Sequence, residues 1–270
     1  RADGPPDAAG LLAGGITLPE YAGRGKERAG PVTDDRPFFF ARSRPLGMHG
    51  GMLLAFGQIL LPIAIGCAVL VRRGRPPEGR LERYRASVVY FACLGIGFMA
   101  VELSLLQGLT LLLGHPAFTL SLLLFTLLAA GGLGSYASGR FRMRPVCLAV
   151  AAAGVFYAFL LPHAVRAVLP LPLAARIAIA IALVAPLGFA MGMPFPSGLR
   201  RAGHAGLPAA PFYWGLNGIL SVVGSIATMV VAVNLGFRAA VIAGAACYAG
   251  AAWAAPRLEE AGTADEERAA

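Results

Sequence analysis

Long apolar runs, separated by short polar segments, dominate the sequence. They occupy residues 48–71, 87–114, 116–138, 145–165, 173–199, 213–236 and 238–255. Each reaches or approaches the roughly 20 residues that a helix needs to cross the hydrocarbon core of a bilayer. A soluble helix would place its apolar residues on one face with a period near 3.6, whereas these runs are apolar all round. The pattern predicts an all-α fold, a polytopic transmembrane helical bundle of about seven spans.

The composition indicates lipid as the surrounding solvent. Hydrophobic residues make up 57% of the 270 and charged residues 14%, against roughly 45–50% and 25% in soluble domains. The formal net charge is +9, but the cations gather in alternate loops as topology signals do, rather than forming one basic face. The expected partner is therefore the lipid bilayer, and nucleic acid is not expected.

Arginine-rich loops predict the orientation in the membrane. They lie around residues 72–85, 140–144 and 200–201, and the connections between them carry less positive charge. By the positive-inside rule these loops face the cytoplasm of a bacterial inner membrane, and so does the C-terminus. Seven spans would place the N-terminal segment outside, whereas an even number would place it inside. The sequence leaves both arrangements open.

The pattern divides the chain into three parts. Residues 1–45 form an extramembrane segment, residues 46–256 form the transmembrane domain, and residues 257–270 form an acidic tail that we expect to be disordered. The transmembrane domain is thus most of the chain.

The stretch "PVTDDRPFFF" stands just before the first apolar run. It contains Thr33, Asp34, Asp35 and Arg36, followed by three phenylalanines. The threonine and the acids suit a turn or a cap, the arginine can pair with either acid, and the aromatic rings suit the headgroup region. The stretch therefore predicts the point where the chain enters the membrane. Paired carboxylates for catalysis or metal binding are the alternative, although no second ligand cluster lies nearby.

Glu102 is the only acid within the apolar runs. An ionised carboxylate at this depth costs on the order of 2.5–3.5 kcal/mol, so it needs a partner, a wet cavity or a proton. Candidate partners are Asn217, Ser221 and Ser225 on the sixth run and Arg176 at the start of the fifth. Two interpretations stay open: a protonated glutamate hydrogen-bonded to a neighbouring helix, or a group that handles an ion, a proton or a cationic ligand.

Other polar or helix-breaking positions accompany Glu102. Gln107 follows on a different side of the same helix, and His115 stands in the short connection to the next span. Pro194 and Pro196 oppose regular helix near Met193, where the freed carbonyls either bind a ligand, as in transporters, or mark the helix end. The candidate residues for ligand or ion handling are Glu102, Gln107, His115, Pro194, Asn217 and Ser221.

Small residues at a spacing of four predict close contacts between helices. The third run contains Gly131, Ser135 and Gly139, and the fifth contains Gly188 and Gly192. Such residues let two helix backbones approach each other within a membrane. We interpret them as packing positions, with a substrate path as the alternative.

No catalytic template is complete. The sequence lacks GxSxG, HExxH and P-loop motifs, and the glycines of "AAGGLGS" lie inside a span. The four cysteines fall in apolar runs without metal-ligand spacing. We therefore predict no catalytic residue, metal site or cofactor site in this chain, and whether the chain forms part of an enzyme stays open.

Four stretches together resemble the membrane region of bacterial spermidine synthase-like proteins. They are "PVTDDRPFFF", "GFMAVELSLLQGLTLLLGHPAFTLSLLLFTLLAAGGLGS", "GMPFPSGLR" and "YWGLNGILSVVGS", running from residue 31 to 236. In that family the first stretch follows a Rossmann-like domain similar to aminopropyltransferases and methyltransferases. The resemblance implies that this chain is the membrane part of such a protein. It also implies that any S-adenosylmethionine-type cofactor belongs to a transferase domain absent from this chain.

Three functions remain open from the sequence. The first is a membrane module that anchors or serves that transferase domain, on the same or another chain, and handles a polyamine or another small cation. The second is an independent secondary transporter or channel for a small cationic solute. The third is a purely structural anchor.

Gly108 stands where many family members carry a basic residue, so no ion pair is expected at that position.

Overall fold

A computed structural model describes residues 50–76 and 78–269, with side chains from 58 to 76 and from 79 to 258. This part of the chain is helical and contains no strand. The α-helices are α1 (Gly50–Arg73), α2 (Leu81–Leu113), α3 (Pro116–Ala137), α4 (Met143–Val168), α5 (Leu173–Gly192), α6 (Pro194–His204), α7 (Ala210–Leu235) and α8 (Phe237–Ala269). Short 3-10 turns at Glu78–Arg80 and Ser138–Arg140 precede α2 and follow α3. The predicted all-α bundle is confirmed.

Six segments of the described chain are long and apolar enough to cross a bilayer. They are Leu81–Leu113, Pro116–Arg140, Met143–Val168, Leu173–His204, Ala210–Leu235 and Phe237–Leu258. These match the second to the seventh apolar runs, and α1 matches the first. Large apolar side chains also point outward, such as Phe125 at 74% and Leu128 at 73% exposure. The chain is therefore a multi-pass helical membrane protein, while its membrane of residence and its orientation stay predictions.

Helix α2 forms the centre of the bundle. Buried residues make up 56% of its apolar stretch, against 50% for α8 and 28% for α3 and for α4. It packs most extensively against α8 and α7, α8 also packs against α4, and α3 pairs with α5. The middle of α2 is therefore largely surrounded by other helices, whereas Glu82 and Arg85 near its start are exposed.

The connections lie at two ends of the bundle. The hairpin end contains residues 114–115, 169–172 and 236, and the arginine end contains residues 74–80, 138–142 and 205–209. At the hairpin end, Arg176 donates a 3.0 Å hydrogen bond to the Leu112 carbonyl. At the arginine end, Arg80 donates one of 3.0 Å to the Gly206 carbonyl. Each bond joins parts of the chain that are far apart in the sequence, 64 residues at the hairpin end and 126 residues at the arginine end.

The predicted break in the fifth apolar run lies at Met193. Helix α5 ends at Gly192 and α6 begins at Pro194, because Pro194 and Pro196 lack the N–H groups that a continuous helix would use. The last helix, α8, continues beyond residue 256 into the segment for which the sequence predicts disorder.

Candidate functional site

Glu102 lies on the side of α2 that contacts α7. Gly95 is seven residues earlier, two turns back on the same side of the helix. Here the helices meet so closely that a Cβ on Gly95 would stand 2.6 Å from the Asn217 carbonyl oxygen and 3.1 Å from its Oδ1. The absence of a side chain at Gly95 thus brings the amide of Asn217 onto the face of α2 that carries Glu102.

The register of the two helices, extended from their nearest contacts, points to the turn of α7 that contains Thr228 as the one opposite Glu102. Two contacts set this register, Ser87 with Tyr213 through a 2.8 Å hydrogen bond and Ile96 with Gly224. The helices therefore run parallel, with an offset of 126 residues at the first contact and of 128 residues (224 − 96) at the second. From Glu102 these offsets reach residues 228 and 230. Both side chains are buried, Glu102 at 9% and Thr228 at 4% exposure.

The Glu102 carboxyl has no hydrogen-bond or ion-pair partner within the part of the chain whose side chains are described. Arg176, a candidate partner from the sequence, donates instead to the backbone of Leu112 near the hairpin end. A buried carboxyl inside a membrane span is costly, and it marks a functional site unless a structural partner explains it. Among the described residues, no such partner is present.

The polar side chains of α7 are arranged as acceptors. The Ser221 hydroxyl donates to the Asn217 carbonyl at 2.8 Å, and the Ser225 hydroxyl donates to the Ser221 carbonyl at 3.0 Å. The Thr228 hydroxyl likewise donates to the Gly224 carbonyl at 2.6 Å. Because each hydroxyl proton is used within the helix, each oxygen presents only lone pairs to its surroundings.

We name Glu102 with Asn217, Ser221, Ser225 and Thr228 the α2–α7 row. Its α7 members recur at intervals of three and four residues, so they share one stripe of that helix. The row is rich in acceptors, and its one acid has no counter-ion among the described residues. It can either bind a cation or receive a hydrogen bond from a protonated Glu102.

The remaining sequence candidates lie elsewhere. Gln107 lines a cavity between α2, α4 and α8, and His115 is an exposed residue at the start of α3. The Pro194 carbonyl accepts a 2.8 Å hydrogen bond from the Tyr90 hydroxyl. Tyr90 precedes Glu102 by twelve residues, about 18 Å along α2. The structure thus brings Asn217 and Ser221 to the side of Glu102, and it separates Gln107, His115 and Pro194 from that side.

The helix break at Met193 is covered by protein. The backbone of Gly134 on α3 packs on the Phe189 carbonyl, which lies one turn before the break. The Pro194 carbonyl is bonded to Tyr90. Broken helices are tolerated at membrane depth where protein satisfies the freed groups. These contacts favour a structural role for the break over ligand binding by its carbonyls.

Some of the small residues in the third and fifth runs pack between two helices, and others do not. Gly131 packs against Gly188 and Gly192 where α3 meets α5. Ser135 is half-buried, and Gly139 is an exposed residue of the 3-10 turn, where an added Cβ would have no neighbour within 4 Å. The stripe does not extend to Gly139, because α3 ends at Ala137. A search at three-residue spacing from Gly131 would have found Gly134, which the sequence analysis missed.

The residues predicted at the membrane entry, Thr33, Asp34, Asp35 and Arg36, lie outside the described residues. Among the residues whose side chains are described, no group of histidine, cysteine and acidic side chains could hold a metal ion.

Comparisons with known proteins returned no match to a family model, a curated protein or a solved structure. The resemblance to spermidine synthase-like membrane proteins stays a prediction from the motifs.

Proposed function

We propose that this chain is an integral membrane module whose α2–α7 row handles a small organic cation. A polyamine is the expected ligand. A transferase domain outside this chain is the partner that we expect to act on it. One observation carries the proposal: Glu102 is buried, has no partner among the residues whose side chains are described, and lies on the side of α2 that faces the α7 hydroxyl oxygens, which offer only lone pairs.

An ammonium group is complementary to the side chains of this row. It carries positive charge and several N–H donors, and it therefore complements a carboxylate flanked by hydroxyl and amide oxygens. From Asn217 to Thr228 the row extends eleven residues, about 16 Å along the helix. A linear polyamine, whose amines are separated by short methylene chains, can reach several acceptors along such a row.

The resemblance of the sequence motifs supports the choice of polyamine. In the family concerned, the membrane region is joined to a domain similar to aminopropyltransferases, which act on polyamines with an S-adenosylmethionine-type cofactor. In this proposal the cofactor belongs to that domain, and the membrane module binds the cationic substrate or product.

The test is spermidine binding to the purified chain in lipid nanodiscs, comparing Glu102→Gln with Glu82→Gln. Glu82 is an exposed acid in the first turn of the same helix, so it controls for loss of a negative charge. We expect Glu102→Gln to weaken binding by about tenfold or more, since a hydrogen bond to a charged group contributes about 1.5–3 kcal/mol. Glu82→Gln should bind as the parent chain does. Equal binding by all three proteins would count heavily against the role of Glu102.

A purely structural anchor is the second candidate, and the closed break at Met193 favours it. In that case Glu102 is protonated and donates a hydrogen bond to an oxygen of α7. Infrared spectroscopy separates the two candidates, because a protonated carboxyl has a C=O band that Glu102→Gln removes. Loss of that band on adding spermidine supports cation handling, and a band insensitive to spermidine supports the anchor.

An independent transporter differs from a module in what the chain does alone. Spermidine uptake into proteoliposomes that contain only this chain would favour the transporter, and binding without uptake would favour the module.

A further inference from the structure

A second polar site lies near the hairpin end, away from the α2–α7 row. It is a cavity of about 160 Å³ between α2, α4 and α8. Its polar lining includes Ser104 and Gln107 from α2, Arg166 from α4 and Arg238 from α8. We name it the Gln107 cavity.

The charges around this cavity are all positive. Arg166 and Arg238 line it, and both are exposed. The Arg238 guanidinium also lies over the Phe159 ring of α4, 5.4 Å from its centroid. No acidic residue contributes to its lining. The start of α8 also lines the cavity through Phe237, and a helix N-terminus carries partial positive charge.

The neutral polar groups include a donor that is available to a ligand. The Gln107 side chain forms no hydrogen bond with other described residues, so both N–H groups of its amide can donate. The Ser104 hydroxyl donates to the Ala100 carbonyl at 2.7 Å, and the Tyr157 hydroxyl donates to the Leu183 carbonyl. The cavity therefore combines two guanidinium groups with an amide donor.

The remaining wall is apolar and lies at membrane depth. Leu111, Leu161, Val165 and Val241 supply most of it. Gly108 belongs to the same wall, and the Leu161 side chain packs directly on it, so a larger residue there would require that side chain to shift. A ligand of this cavity therefore needs an anionic group at the arginines and tolerates an apolar portion against this wall.

We propose that the Gln107 cavity binds a phosphate oxyanion between Arg166, Arg238 and the Gln107 amide. Arginine forks match the oxygens of phosphate and form charge-assisted hydrogen bonds with them. Basic pockets between transmembrane helices hold phospholipid headgroups in this way. The phosphate comes from a lipid headgroup or from a soluble phosphate ester, and the experiment distinguishes these sources. The proposal does not depend on the role of Glu102.

The test uses the purified full chain, with Arg166→Gln and Gln107→Leu as variants and Arg140→Gln as the control. Arg140 is an exposed arginine at the arginine end, so Arg140→Gln removes the same charge at a position away from the cavity. Native mass spectrometry measures retention of phosphatidylglycerol against phosphatidylcholine, and titration calorimetry measures binding of glycerol 3-phosphate. Circular dichroism checks that each variant keeps its helical content.

We expect Arg166→Gln to reduce binding of at least one phosphate probe by about tenfold. Gln107→Leu should reduce binding of the same probe, and Arg140→Gln should bind as the parent chain does. A loss confined to phosphatidylglycerol identifies a lipid headgroup, and a loss that includes glycerol 3-phosphate identifies a soluble ester. Unchanged binding of both probes by Arg166→Gln and Gln107→Leu would overturn the proposal, as would an equal loss in Arg140→Gln.

Discussion

At the scale of single residues, the sequence points to Glu102 but does not identify its surroundings. An acid in the middle of an apolar run is recognisable without a structure, because its burial is costly. Which neighbours it meets depends on how closely α7 approaches α2, and the two backbones approach closely at Gly95 and Gly224. Gln107 is five residues from Glu102, and helical geometry places it on another side. The structure adds that this side is a separate cavity.

Thr228→Val tests the acceptor role of the α7 hydroxyls. The substitution keeps the shape of the side chain and removes a hydroxyl oxygen from the turn of α7 that the helix register places opposite Glu102. We expect spermidine binding to weaken by about threefold to tenfold, because one neutral hydrogen bond contributes about 0.5–1.5 kcal/mol. Binding measured on Thr110→Val is the control, since the Thr110 hydroxyl also donates to its own helix, at Leu106, but lies nearer the hairpin end. A similar loss in both variants would contradict a specific role for Thr228.

At the scale of helices, apolar length is sufficient to predict existence and order. Six of the seven apolar runs each became one helix, and the fifth became α5 and α6 on either side of Met193. The tight connection between α2 and α3 follows from Gly114, whose φ of +80° ends α2, and from Pro116 at the start of α3. Exact ends were harder to predict. Helix α2 begins at Leu81, six residues before its apolar run, because its polar first turns lie at the arginine end, where charged side chains need no burial. The pairing of α3 with α5 depends on the three-dimensional approach of two backbones, which spacing alone does not determine.

Gly134→Ala tests the contact between α3 and α5. A Cβ at Gly134 would overlap the Phe189 carbonyl, whereas one at Gly132, on the same helix, would meet nothing within 4 Å. We expect Gly134→Ala to lower the free energy of unfolding by about 1–3 kcal/mol through this overlap. Gly132→Ala should be neutral or stabilise by up to about 1 kcal/mol, because alanine favours a helix over glycine. Unfolding in detergent measures both, and equal stabilities of the two variants would contradict the close approach.

At the scale of the whole molecule, the distribution of arginine predicts how the bundle sits in the membrane. The arginine end carries most of the cations of the described chain, and the hairpin end carries few. The positive-inside rule therefore predicts that the arginine end faces the cytoplasm. This places the Gln107 cavity near the opposite surface, with the α2–α7 row between the two ends.

Cysteine accessibility in intact cells tests this orientation, with Cys67, Cys93, Cys147 and Cys247 replaced. Suitable probes are Gly79→Cys at the arginine end and Leu171→Cys at the hairpin end, since both positions are exposed. We expect an impermeant reagent to label Leu171→Cys in intact cells and Gly79→Cys only after the membrane is opened. The opposite result would reverse the predicted orientation.

The most direct test of the central claim is whether a cation reaches the α2–α7 row. Ser225→Cys places a thiol on the stripe of α7 that belongs to the α2–α7 row, in the same background without native cysteines. We predict that a cationic thiol reagent modifies this residue in the reconstituted chain and that spermidine slows the modification. We also predict that Glu102→Gln removes the protection by spermidine. A thiol that stays unmodified, or one that reacts at the same rate with and without spermidine, would contradict the claim that the row handles a cation.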